Sequence, residues 1–181
     1  MIEFNKYSSE EIKKHLPDLY MEKDFHGYAT TISGWTHLYA NQMTPRSPEK
    51  ILSYFEKGHS VLIANETTNE LLAHGAIKWI STKNPILEVG TIVVNPKYKS
   101  AGYGAEVTKA TVELANKKYP EHLKFAFCNS ASLGIFKKLG FVEAELKNLP
   151  TEVWDGCLTC QNKPKPETRK LCCDTIVVLP K

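Results

Sequence analysis

Strong charge of either sign is missing from this 181-residue chain: 23 Lys and Arg stand against 20 Asp and Glu, for a formal net charge of +3. A nucleic-acid binder would need a strongly basic face, and this balance is too weak to supply one. Also missing is any apolar run near the roughly 18 residues that span a bilayer. The N-terminus, Met1-Ile2-Glu3-Phe4-Asn5-Lys6, lacks the basic-then-apolar order of a secretory leader. Cysteine is scarce and odd in number, five residues in all. That argues against a disulfide framework and fits a reducing compartment. The expectation is a cytoplasmic protein with neither a membrane nor a nucleic acid as partner. The oligomeric state stays open, a homodimer included.

What is present suits one compact domain over residues 1–181. About two-fifths of the residues are hydrophobic and a quarter charged, ordinary values for a globular chain. Met1 to Lys6 reads as a short strand. Ser8 and Glu11 form a capping-box pattern ahead of Ile12, Leu16 and Leu19 at helical spacing. Residues 24–46 give no clear period. A helix opens at Ser47-Pro48-Glu49, with Ser47 as N-cap and Gly58 as its stop. Three strands follow, Ser60 to Ala64, Leu71 to Ile80 and Ile86 to Val94, separated by Thr67-Thr68-Asn69 and Asn84-Pro85. Then come a helix over 102–118, a strand at 123–128, a helix at 130–139 and a strand at 141–146. A cysteine-rich insertion, 154–173, separates that strand from a last one at 174–179. The order describes a mixed α/β domain on one sheet flanked by helices.

The informative stretch runs from Ile92 to Gly104. A strand ends at Asn95-Pro96, a loop carries Lys97 and Lys99, and a helix begins at Gly102-Tyr103-Gly104. Glycines at such a turn admit backbone angles closed to other residues. The helix N-terminus then presents N–H groups and partial positive charge to a phosphate. Taken alone, a Gly-x-Gly is more often a packing turn. A second segment changes that balance: Asn129 opens a helix that ends Lys138-Leu139-Gly140-Phe141. Together the two segments resemble the GNAT superfamily of acyl-CoA N-acyltransferases. Its cofactor loop is matched over Lys99 to Gly104, with Lys in the place of the usual Gln or Arg.

The resemblance implies a GNAT fold, mostly antiparallel, and transfer of an acetyl group from acetyl-CoA to a primary amine. Lys99, Ser100, Ala101, Gly102, Tyr103 and Gly104 would cradle the pyrophosphate. Ile92, Val93 and Val94 would pair with the pantetheine arm, and the Ile92 amide would polarise the acetyl carbonyl. Glu88 takes the place of the family's base, with a solvated strand-edge residue as its bland alternative. Four residues of strand span roughly 13 Å, so Glu88 reaches an amine near Ile92 only by side-chain extension or through water. Asn129 and Ser132 lie where cofactor contacts are expected, although Asn129 is equally a helix cap. Phe136 also lies beside the cofactor arm, and here the chain departs from the family pattern. Many members carry there a Tyr that protonates the leaving thiolate. Three readings follow: the thiolate leaves unprotonated; Tyr98, Tyr103, Ser132 or Cys128 serves; or the protein binds acyl-CoA without turnover.

Trp35, His37 and Tyr39 are candidates for an acceptor pocket formed by the first two helices and the loop between them, small-molecule or peptide amines being the acceptors. The alternative is a satellite core under a long loop. Cys157 and Cys160, followed by Cys172 and Cys173, leave three readings: a structural zinc site, a redox pair, or unliganded thiols. A zinc-stapled interaction protein on this scaffold is therefore a further alternative to the transferase.

Overall fold

Consecutive buried residues such as Val61, Leu62 and Ile63 demand cover on both faces of their strand. The chain meets that demand with one sheet between two helical layers. The computed structural model describes residues 4–8, 21–65, 67–144, 149–150, 153 and 175–180. Its strands are β1 (Phe4–Ser8), β2 (Ser60–Asn65), β3 (Leu71–Ile80), β4 (Ile86–Val94), β5 (Leu123–Cys128), β6 (Val142–Glu143) and β7 (Thr175–Leu179). Its helices are α1 (Met21–Leu38), α2 (Pro48–Glu56), α3 (Tyr103–Lys118) and α4 (Ser130–Lys138), with a 3₁₀ turn at Pro96–Tyr98. The strands form a seven-stranded sheet in the order β1-β2-β3-β4-β5-β7-β6. Among the described residues every pairing is antiparallel except that of β4 with β5. The mixed α/β sheet is thus as expected.

One face carries α3 and α4, whose Val107, Leu114 and Phe136 pack with Val61, Ile63, Leu72 and Leu87. The other carries α1 and α2, whose Ile32, Trp35, Ile51 and Phe55 cover Leu62, Leu71, Ala76 and Val93. A smaller cluster of Ile86, Phe125, Leu149, Val153 and Ile176 seals the sheet where β4, β5 and β7 meet. None of the helices is long and apolar enough to cross a membrane, among the described residues.

Local signals account for most boundaries. The Ser47 hydroxyl accepts from the Lys50 amide at 3.3 Å, with Pro48 opening the helix as expected. The β2–β3 turn is built on Asn65, whose side chain accepts from the amides of Thr67 and Thr68, and Asn69 takes a left-handed φ of 53°. Residues 24–46, which show no clear period, are helical as far as Leu38. The inward stripe there is Ala29, Ile32, Ser33, Trp35 and Thr36, at helical spacing but with two hydroxyl residues among the five. Gly27 and Gly34 each cost a helix about 1 kcal/mol relative to alanine. Packing against the sheet offsets that cost. Ser8 ends β1, where it pairs with Val61; the expected helix beyond it, 12–19, lies outside the described residues.

Gly75 marks a close approach of α3 to the sheet. A Cβ there would collide with the Thr111 hydroxyl and sit 2.9 Å from Ile92 Cδ1. Gly75→Ala is therefore expected to destabilise the protein by about 1–3 kcal/mol through overpacking. Urea denaturation checks this, and an unchanged midpoint would show that α3 is free to shift.

Candidate active site

The parallel pairing that joins the two halves of the sheet is short. Ile86, Leu87 and Glu88 register with Leu123, Lys124 and Phe125, and there the ladder ends. Both strands continue, β4 to Val94 and β5 to Cys128. They part beyond Glu88 and leave an opening with strand backbone on each side.

The β4 side of this opening carries a bulge. His74 lies opposite Val93 and Ala76 opposite Gly90, so two residues of β4, Thr91 and Ile92, stand opposite the single Gly75 of β3. The extra residue brings Thr91 to a left-handed φ of 50°, a conformation costly for a β-branched side chain. A buried imidazole holds it. His74 Nδ1 lies 3.2 Å from the Thr91 carbonyl and Nε2 3.1 Å from Ser60 Oγ. The carbonyl only accepts, so Nδ1 carries the proton, and Nε2 accepts from the Ser60 hydroxyl. Burial pushes the His74 pKa down to about 3, against the smaller opposing effect of the Thr91 hydrogen bond.

At the end of β4, Asn95 anchors the loop. Its side chain donates to the Leu71 carbonyl at 3.0 Å and accepts from the Lys97 amide at 3.1 Å. Glu70 then draws two loop groups away from the opening: Lys97 Nζ at 3.3 Å and the Tyr98 hydroxyl at 2.7 Å. Ser100 (φ 68°) and Gly102 (φ 93°) both turn left-handed. The N-terminus of α3 that follows has no side-chain cap. Successive turns of this kind point main-chain N–H groups into a concavity suited to an anion. An added Cβ at Gly104 would touch only Val94 and Ile135, at 3.6 and 3.8 Å, so the protein's own packing does not demand glycine there.

Across the opening, α4 begins at Asn129. The Asn129 side chain accepts from the amides of Ala131 and Ser132, both at 3.0 Å, and the Ser132 hydroxyl accepts from the Asn129 amide at 3.1 Å. The remaining Asn129 amide hydrogens reach the Gln42 carbonyl at 3.2 Å. Asn129 is thus a helix cap that also ties α4 to the α1–α2 loop. Phe136 is 2% exposed and stands edge-on to Phe141 at 5.0 Å. Cys128 is buried, which pushes its thiol up to about 11 despite a hydrogen bond from Ser132.

Glu88 is 6% exposed rather than solvated, and its carboxylate meets Lys78 Nζ at 2.6 Å. Trp35 and Tyr39 share one face of the chain and pack in the α1–α2 cluster, whereas His37 faces solvent on the opposite side. The three aromatic candidates are therefore not brought together. Trp35 instead lines a cleft of about 510 Å³ with Tyr28, Leu71, Asn95 and Lys97. Several groups here carry no sequence signal: His74, Lys78, and the buried polar atoms Arg46 Nε, Tyr54 Oη and Thr91 Oγ1, which have no hydrogen-bond partner among the described residues. Cys157, Cys160, Cys172 and Cys173 lie outside the described residues. Among the described residues no cluster of three or more His, Cys, Asp or Glu could hold a metal.

Residues 19–141 match the family model described as the acetyltransferase (GNAT) family. An uncharacterised N-acetyltransferase of Chlorobaculum tepidum is 25% identical over 154 residues, 83% of this chain and 88% of the relative. N-acetylglutamate synthase of Neisseria gonorrhoeae, in complex with coenzyme A and N-acetyl-glutamate, is similar with a TM-score of 0.65 at 15% identity. All of this chain is covered there, and it spans 36% of the synthase chain. A Mycobacterium tuberculosis protein in complex with CoA gives a TM-score of 0.64 at 15% identity, over 85% of this chain and 94% of that one. At such identities the structural likeness is one of fold.

The depressed pKa of His74 predicts a pH dependence of stability. Below about 6.5 the unfolded chain takes up a proton on this residue while the folded protein does not, so unfolding is favoured as the pH falls toward 3. Melting temperatures measured between pH 7 and 4 should fall. In His74→Gln, lower in stability at neutral pH, the acid limb should be flatter. Equal slopes for the two proteins would remove His74 as the source.

Proposed function

The chain belongs to the GNAT family of acetyltransferases, and from that membership we propose that it carries an acetyl group from acetyl-CoA to the primary amine of a small molecule. The observation that carries the proposal is the parted β4–β5 ladder beside the uncapped start of α3. Strand backbone whose β5-facing edge has no partner among the described residues suits the amide-bearing pantetheine arm, here along Ile92, Val93 and Val94. Left-handed turns at Ser100 and Gly102 suit a diphosphate, received within the Lys99 to Gly104 loop by the main chain of Ser100, Gly102, Tyr103 and Gly104, since the Lys99 and Ala101 amides already donate to the Pro96 and Tyr98 carbonyls. Asn129, Ser132 and Phe136 back this opening from α4, Phe136 through its packing alone. The gonococcal synthase, solved with N-acetyl-glutamate, supports a small-molecule acceptor. Trp35, at the wall of its cleft, is the acceptor-side residue, with Tyr39 packed in the same cluster; His37, which faces solvent, is not part of that wall.

In this proposal the amine nitrogen attacks the thioester carbonyl carbon. The C–N bond forms as the C–S bond breaks. Negative charge that gathers on the carbonyl oxygen is met by the Ile92 amide, whose direction is set by the bulge at Thr91. The amine proton passes to the Glu88 carboxylate, directly or through water. Lys78 holds that carboxylate in place. The CoA sulfur leaves as thiolate, which is tolerable near neutral pH for a thiol with a pKa of about 8.5. Three of the alternative donors are poorly suited: the Tyr98 proton goes to Glu70, Ser132 is held in the α4 cap, and the Cys128 thiol is buried with its pKa raised. A zinc ion on Cys157, Cys160, Cys172 and Cys173 is a separate element of the proposal, resting on sequence spacing. Elemental analysis of the reduced protein should find about one equivalent, and its absence removes the site.

Thiol release from acetyl-CoA with a panel of amines tests the reaction. Glu88→Gln should lower kcat by at least about 10²-fold and leave CoA affinity unchanged. Gly102→Ala, strained at φ 93°, should raise KM for acetyl-CoA about tenfold, equivalent to 1.4 kcal/mol. Full activity in Glu88→Gln would exclude this base, and CoA binding without turnover of any amine would sink the transferase proposal.

A further inference from the structure

Arg46 Nε, Tyr54 Oη and Thr91 Oγ1 are buried without hydrogen-bond partners among the described residues, and all three are donors. A native protein seldom leaves such groups unsatisfied, because each forfeits its hydration for nothing. Tyr54 is 2% and Thr91 6% exposed. The two hydroxyls are neighbours that do not meet hydrogen-bond geometry, and Arg46, Lys78 and Glu88 all act on the phenol electrostatically. Burial raises the Tyr54 pKa, so the phenol keeps its proton at neutral pH. Lys50 sits 5.3 Å from the centre of the Tyr54 ring. Burial first, then repulsion from Lys57, Arg46 and Lys78, lowers its own pKa. Three cations around the phenol thus face one carboxylate, Glu88, already taken by Lys78.

The placement is built. Arg46 is fixed by its main chain: its carbonyl accepts from Ser33 Oγ at 2.7 Å and its amide donates to Thr36 Oγ1 at 2.9 Å. The Thr91 carbonyl is bound by His74, which leaves the hydroxyl to face α2. The cluster adjoins Ile92 in sequence and lies on the α1–α2 side of the sheet.

We infer that Arg46, Tyr54 and Thr91 form a subsite for the carboxylate of the acceptor, which is a free amino acid acetylated on its α-amine. The inference rests on the transferase proposal for its placement of the reacting carbon near Ile92. Two carboxylate oxygens offer lone pairs for all three donors and neutralise the excess cation. In an amino acid the α-nitrogen lies two bonds from the carboxylate carbon, so anchoring the one at Thr91 delivers the other to the next residue. Glu88 then faces the ammonium end.

The test is calorimetric binding to the full chain saturated with CoA. Each standard L-amino acid is compared with its carboxamide and its decarboxylated amine. At least one amino acid should bind ten times or more tighter than both its analogues. Arg46→Gln should abolish that difference. Tyr54→Phe should weaken the amino acid about tenfold yet leave the empty protein as stable or more stable, since it deletes an unsatisfied hydroxyl and keeps the ring. Amides or amines binding as well as the acids, or no amino acid binding at all, would overturn the inference. So would Tyr54→Phe with unchanged affinity. Amino-acid binding that follows this pattern without acetyl transfer would uphold the carboxylate subsite and defeat the transferase proposal instead.

Discussion

The geometry of the site depends on one main-chain reversal, the left-handed turn of β4 at Thr91, and on the imidazole that holds it. A β-branched residue does not take that conformation for its own sake. It is kept there by His74, which reaches from the adjacent strand to the Thr91 carbonyl and is itself fixed by Ser60. The added residue redirects everything downstream on β4. It sets how the Ile92 amide is presented and which way the Thr91 hydroxyl faces. It also separates the register that serves Glu88 and Lys78 from the register that serves Val93 and Val94. A neutral, fully buried histidine suits this task, because it offers a donor and an acceptor on opposite sides of a rigid ring.

Two features then make room for ligands. The parallel ladder stops after three paired positions, so strand backbone is turned to a gap in the sheet. The loop beyond β4 folds onto Asn95 and Glu70, which leaves the start of α3 without a side-chain cap. Lys97, for all its charge, is held by Glu70, so main-chain groups face that gap. On the α1–α2 side the chemistry differs. There the side chains matter, with cations and hydroxyls around Tyr54 and a carboxylate at Glu88.

What could be seen in the chain beforehand follows from how local each signal is. Ser47-Pro48, the Asn65 to Asn69 turn and the run from Asn95 to Gly104 are defined by neighbours in sequence, and each folds as its residues suggest. The cofactor-side segments lie within two short motifs for the same reason. Helix α1 was opaque because Gly27, Gly34 and a stripe containing Ser33 and Thr36 disguise its period; those hydroxyls bind the Arg46 main chain instead of marking a polar face. Arg46, Tyr54, His74, Lys78 and Thr91 come from a loop, a helix and two strands. No spacing links them, and only the sheet brings them together. Glu88 was placed by motif, but its burial and its partner Lys78 depend on the β3–β4 register.

The strand order also bears on how the molecule can be made. The last of the described strands, β7, sits between β5 and β6. As the polypeptide leaves the ribosome, β5 has no partner among the described residues on its outer edge until Thr175–Leu179 emerges, and β6, whose described pairing is with β7, waits for the same strand. The nascent chain therefore carries an open, largely apolar edge through the synthesis of every residue in between. Such an edge invites pairing with other chains, so chaperone cover during translation matters most in that interval.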